Sequence, residues 1–115
     1  MNYEEMSDLE IAARVLTAKG ISYKIERGIC FINHGYEDGA CVFTHFDPCN
    51  NWADAGPIIV ENKMTISPQA NFDESQWGAS CGVDDNLNPE FAVWSENPLR
   101  AAMICFLEIK DAENE

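Results

Sequence analysis

Near the C-terminus, the run Leu99-Arg100-Ala101-Ala102-Met103-Ile104-Cys105-Phe106-Leu107 contains one polar residue, Arg100. Asn97 is placed to cap a helix, and Pro98 takes the first helical position, where its missing N–H and fixed φ do no harm. The spacing predicts a helix over Pro98–Lys110. Leu99, Ala102, Met103, Phe106 and Leu107 form one amphipathic stripe. Ala101, Ile104 and Cys105 extend the apolar surface to the other side, and Arg100 is expected to face water. A helix apolar nearly all round must be covered on several sides. That is demanding for a chain of 115 residues, since roughly a third of the unfolded chain's surface stays exposed in a domain this small. Two covers are open. One is the chain itself, with the segments 47–57 and 81–90 folded over the helix. The other is a two-fold homodimer that pairs the Pro98–Lys110 helix with its copy.

A second helix is predicted over Ser7–Lys19. Ser7 and Glu10 make a capping box, Met6 and Ile11 a hydrophobic staple, and Gly20 follows as a left-handed cap. Leu9, Ala12, Ala13 and Leu16 share one face. Between the helices the pattern is of short strands. Ser22–Glu26 and Ile29–Ile32 flank the turn Arg27-Gly28, and Asn33-His34-Gly35 and Asp38-Gly39 bracket a loop. Ala40–Phe46 alternates, with Cys41, Phe43 and His45 on one side and Val42 and Phe46 on the other. Asp47 to Gly56 reads as an ordered loop. Pro57–Val60 and Met64–Ser67 read as a second hairpin across Glu61-Asn62-Lys63. Phe72–Ala79 is weakly strand-like, Val83 to Asn88 is an acidic loop, and Phe91–Trp94 is a short strand. Asp111 to Glu115 is expected to fray. The expectation is a single α+β domain over residues 1–115: an antiparallel β-sheet of four to six short strands packed with an N-terminal and a C-terminal α-helix.

Charge narrows the choice of partner. The formal net charge is −13. Residues 28–99 carry eleven acids against one base, Lys63. Such a field repels nucleic acid and anionic membranes and favours basic surfaces, so no direct nucleic-acid binding and no membrane contact are expected. No apolar run is long enough to span a bilayer, and the acidic N-terminus has no signal-peptide pattern. The expected location is the cytoplasm. The five cysteines, Cys30, Cys41, Cys49, Cys81 and Cys105, are irregularly spaced, and reduced thiols are expected.

The constellations that carry chemistry are weak. His34, Cys41, His45 and Cys49 have zinc-type donors, but without a close cysteine pair, and no metal or other cofactor is expected. Asp84, Asn86, Asn88 and Glu90 imitate the start of an EF-hand loop, yet its glycine and its final glutamate are replaced by Pro89 and Ser95. No phosphate loop and no activated nucleophile is visible. Core packing is the expected role of Trp77 and Trp94. Trp52 lies beside Asn50, Asn51 and Asp54, where a rigid aromatic and polar groups converge, and this is the candidate recognition site. Asp84, Asp85 and Glu90 are the candidate acidic surface.

Several segments in order resemble the NinX-like family of bacteriophage and prophage proteins: Asp47-Pro48-Cys49-Asn50-Asn51, Asp54-Ala55, Pro57-Ile58-Ile59-Val60-Glu61-Asn62 and Asn97-Pro98-Leu99-Arg100-Ala101-Ala102-Met103. The opening Met1-Asn2-Tyr3 and Ser7-Asp8 fit one branch. The chain departs from that pattern at Gly56, where relatives carry a bulky residue, and at Trp52, where they carry a proline. The resemblance implies a small accessory protein of a temperate phage, acting in the host cytoplasm, with no known activity. The function expected is non-enzymatic binding of a host or phage protein, with a basic nucleic-acid-associated or defence factor as the sharper form. The alternatives are a small metal-binding protein or hydrolase of unrecognised type, and an acidic DNA-mimic inhibitor.

Overall fold

The structure, a computed structural model, describes residues 2–68, 76–83 and 89–113. After a short 3-10 turn at Tyr3–Glu5 come α1 (Asp8–Lys19), β1 (Tyr23–Glu26), β2 (Ile29–Glu37), β3 (Ala40–His45), α2 (Trp52–Glu61), β4 (Thr65–Pro68), β5 (Trp77–Val83), β6 (Pro89–Ser95) and α3 (Pro98–Glu113). The fold is α+β, and among the described residues six antiparallel strands are divided between two three-stranded sheets ordered β1-β2-β3 and β4-β5-β6. The expected Phe72–Ala79 strand is described only from Gln76 onward, and the expected acidic loop lies almost wholly outside the described residues.

Local chemistry sets the helix ends. Ser7 Oγ accepts the Glu10 N–H at 3.2 Å, and the Ile21 N–H returns to the Leu16 carbonyl at 2.9 Å, past Gly20. At α3, Asn97 Oδ1 accepts the N–H groups of Leu99 and Arg100 at 2.9 and 3.2 Å. The helix does not fray at Asp111 but runs to Glu113. Tyr3 anchors this end by donating its hydroxyl to Asp111. Burial and that bond push the Tyr3 phenol up to about 12.

Two of the elements differ in type or extent from the expected pattern of strands and loops. The stretch Asn33–Glu37, expected as a loop, continues β2, with a bulge between Asn33 and Tyr36 that absorbs the extra residue. The β2–β3 turn is Asp38-Gly39, with φ of 52° and 83°, the double positive φ that a two-residue hairpin turn requires. The larger departure is α2. Pro57–Val60, expected as a strand of a second hairpin, lies inside a helix. Asn51 caps that helix by accepting the Ala53 N–H at 2.9 Å. Ala55, Ile58 and Ile59, spaced three and four apart, are its buried face. Pro57 is exposed, so the Ala53 carbonyl that loses its intrahelical donor lies on the solvent face of the helix. Strand β4 then pairs with β5 rather than with the 57–60 segment.

The elements stack in sequence through the molecule. Helix α1 packs on β2 and on α3, and α3 packs on α2, β5, β6 and the edge of β4. The apolar residues of α3 from Leu99 to Leu107 are all between 0 and 6 % exposed. The cover is therefore supplied by the chain itself, through sheet β4–β6 on one side and α1 and α2 on others. The apolar surplus that would call for a dimer through this helix is consumed inside one copy.

Arg100 does not face water either. Its side chain is 17 % exposed and its Nη1 lies 2.7 Å from Asp8 Oδ1. Its Nη2 donates to the carbonyls of Tyr3, Glu4 and Met6. The one polar residue of the run thus ties the N-terminal segment across α3.

Candidate functional site

The candidate recognition residues sit where β3 hands over to α2, and the structure divides them. Asn50, Asn51 and Asp54 turn toward their own chain. Asn50 Nδ2 donates to Asp8 Oδ2 and to both carboxylate oxygens of Asp47, each at 3.1 Å. Asn51 caps α2. Asp54 Oδ2 accepts the Asp47 N–H at 2.9 Å, which closes the turn on the helix it precedes. These three shape the loop. Asn97 adds to them by donating to the Cys49 carbonyl at 2.6 Å, so one residue caps α3 and pins the loop before α2.

Trp52 behaves differently. It is the first residue of α2 and 60 % exposed. The indole edge passes close to Gly56, where an added Cβ would meet Trp52 Cε3 at 3.8 Å. One turn further on, Val60 is 77 % exposed. Ala53 and Pro57 are exposed between them. The outer face of α2 is therefore an unbroken apolar strip, Trp52-Ala53-Gly56-Pro57-Val60, on an acidic molecule. The strip does not exist if 57–60 is read as a strand. The spacing of Ala55, Ile58 and Ile59 is the sequence signal that reveals it.

A groove of about 520 Å³ adjoins the same corner. Its walls include Glu4, Asp8, Glu96 and Trp94. Trp94, expected in the core, is 50 % exposed, and Trp77 is 37 % exposed. The register explains Trp94: Ala79 pairs with Val93 on the buried side, so the Gly78–Trp94 pair falls on the outer side. Asp8 links groove and loop through Asn50 and Arg100. Burial works against the Asp8 charge, but the Asn50 amide and the Arg100 guanidinium outweigh it and hold the carboxyl below its ordinary 3.8.

Of the candidate acidic surface, Asp84 and Asp85 lie outside the described residues, and Glu90 is placed only as part of the β6 backbone. The zinc-type donors are dispersed. His34 Nε2 is 2.6 Å from Thr44 Oγ1, which places it on the opposite sheet face from Cys41 and His45. Cys49 is fully buried. Among the described residues, no group of three or more His, Cys, Asp or Glu side chains is arranged to hold a metal ion. No disulfide joins the five cysteines. Burial drives the thiols of Cys49 and Cys105 up to about 12, which removes them as nucleophiles at neutral pH. Among the described residues no helix is long and apolar enough to cross a membrane.

The family model for NinX of bacteriophage P22 matches residues 2–110, nearly the whole chain. The chain belongs to the phage NinX family. The match spans every described helix start and all six described strands. The chain matches no curated protein.

Proposed function

We propose that this NinX-family chain is a phage accessory protein that acts in the host cytoplasm by binding a host or phage protein, and that the outer face of α2 is where the partner docks. The observation that carries this reading is the strip running from Trp52 to Val60, with these two side chains 60 and 77 % exposed. A large aromatic such as Trp52 held on a rigid helix is typical of an interface anchor, and Val60 extends the apolar contact beside it. A contiguous apolar face on a soluble domain is better explained by a partner than by chance exposure.

The net charge of −13 favours a basic partner, such as a nucleic-acid-associated or defence factor, and steers the encounter. The groove beside Trp94 is lined by the Asp8–Arg100 ion pair and by Glu4 and Glu96, so it is the Glu4 and Glu96 carboxylates and the indole face that it offers a cationic side chain. Affinity capture from host lysate, comparing the wild-type chain with the Trp52→Ser/Val60→Ser variant, tests the reading. A protein retained by the first and lost by the second, with retention falling as salt rises, is the expected result. Identical captured sets from both chains contradict it.

A further inference from the structure

Among the described residues the two sheets leave four edges without a paired strand, and three of them carry a feature that discourages pairing. Strand β1 bears Lys24 and Glu26, β4 ends in Pro68, and β6 begins at Pro89-Glu90. Charges and prolines on edges are the usual guards against strand addition. Strand β3, Ala40-Cys41-Val42-Phe43-Thr44-His45, carries no acid, no base other than histidine, and no proline.

The orientation of its backbone follows from the register. The Phe46 N–H bonds the Cys30 carbonyl at 2.9 Å, and Ile32 pairs with Thr44. Even-numbered residues of β3 therefore direct their backbone groups to β2, and Cys41, Phe43 and His45 direct theirs to the open edge. No described element pairs with that edge. The side chains of Cys41, Phe43 and His45 share the sheet face turned away from α1. There, Lys24 Nζ lies 4.0 Å from the Phe43 ring centroid, and the Phe31 and His45 rings stand 6.2 Å apart.

We propose that a second copy of this chain pairs along β3, antiparallel and about a two-fold axis at Phe43, which joins two three-stranded sheets into one of six strands. Charge and backbone together support this occupant. Two copies of a chain of net charge −13 repel one another, and of the four described edges β3 is the one whose strand carries neither an acid nor a proline: β4 is free of acids but ends in Pro68. In the register about Phe43, Cys41 lies opposite His45 of the second copy, and the backbone groups that now face water at Cys41, Phe43 and His45 all find partners. The two Phe43 rings meet on one face, an aromatic cross-strand pair. This inference is independent of the α2 docking reading.

Light scattering over a concentration series, combined with two variants, tests it. The wild-type mass should rise toward twice 12.9 kDa as concentration increases. Phe43→Pro deletes an N–H that points away from β2, so it should leave the fold and hold the mass at that of one chain. In a Cys41→Ser background, Phe43→Cys should form an intermolecular disulfide on mild oxidation with diamide, because Cα atoms of such a pair sit about 5.5 Å apart. The native Cys41 pair, offset by four positions or about 13 Å, should not crosslink. If Phe43→Pro fails to fold, the crosslink decides. A wild-type mass of 12.9 kDa at all concentrations overturns the proposal. So does a dimer that persists in folded Phe43→Pro, or a dimer of the Phe43→Cys variant that does not crosslink.

Discussion

Arg100 Nη1 lies 2.7 Å from Asp8 Oδ1, joining residues 92 positions apart. The same guanidinium collects the carbonyls of Tyr3, Glu4 and Met6. A planar fork with five donors suits this task, whereas an ammonium reaches fewer acceptors. Arg100→Ala leaves Asp8 and part-buried carbonyls without that partner, and the expected loss is about 2 kcal/mol in urea denaturation. Arg100→Lys should recover only part of it. A loss within the ~0.5 kcal/mol typical of a neutral surface site would show the clamp to be unimportant.

The carboxylates Asp8 and Glu108 should oppose one another in acid. The folded pKa of Asp8 is held below its ordinary 3.8. Its stabilising contribution is complete above that value and is lost as pH falls through the lower folded one. Glu108 has the opposite sign. Partial desolvation of this solvent-facing residue, then Glu4 and Asp111, raise its pKa above 4.5, so its charge destabilises the fold at neutral pH and protonation relieves this. Melting temperature against pH should therefore show Asp8→Asn lowering stability at pH 7 and flattening the acid limb. Glu108→Gln should raise stability at pH 7, an advantage that disappears in acid. A Glu108→Gln protein less stable than wild type at pH 7 would reverse the sign argued here.

The residues flanking the start of α2 should separate in a stability assay. Asn51→Ala removes the cap on the Ala53 N–H and should cost about 1 kcal/mol. Trp52→Ser, at a site 60 % exposed, should stay within ~0.5 kcal/mol. Equal losses would mean that Trp52 belongs to the packing of the helix rather than to a docking face.

Legibility in the sequence tracks how local the deciding interactions are. Ser7, Gly20, Asn97 and Pro98 mark α1 and the start of α3, because a cap is a contact between near neighbours. Helix α2 escapes because Ile58-Ile59-Val60 is a β-branched run behind Gly56-Pro57. The propensities of these residues favour a strand, and packing on α3 overrides them. The division of six strands into two sheets depends on long-range pairings that no local pattern encodes. Arg100 is expected in water because nothing nearby in sequence neutralises it, and Asp8 is 92 positions away. At the candidate site, Trp52 stands apart from its polar neighbours as an exposed aromatic. Asn50, Asn51 and Asp54 are the residue types that bond their own backbone in turns, and they spend their side chains on shaping the loop.

Site-specific photo-crosslinking in the host bacterium tests the central claim most directly. A photoreactive amino acid is placed at position 52, at position 60 and, as a control, at Glu10 on the exposed part of α1. If the α2 face docks a partner, positions 52 and 60 should both yield the same higher-mass adduct, identified by mass spectrometry as one host or phage protein. The Glu10 position should not yield it. No adduct from positions 52 and 60, or the same adducts from all three, would contradict a docking role for this face.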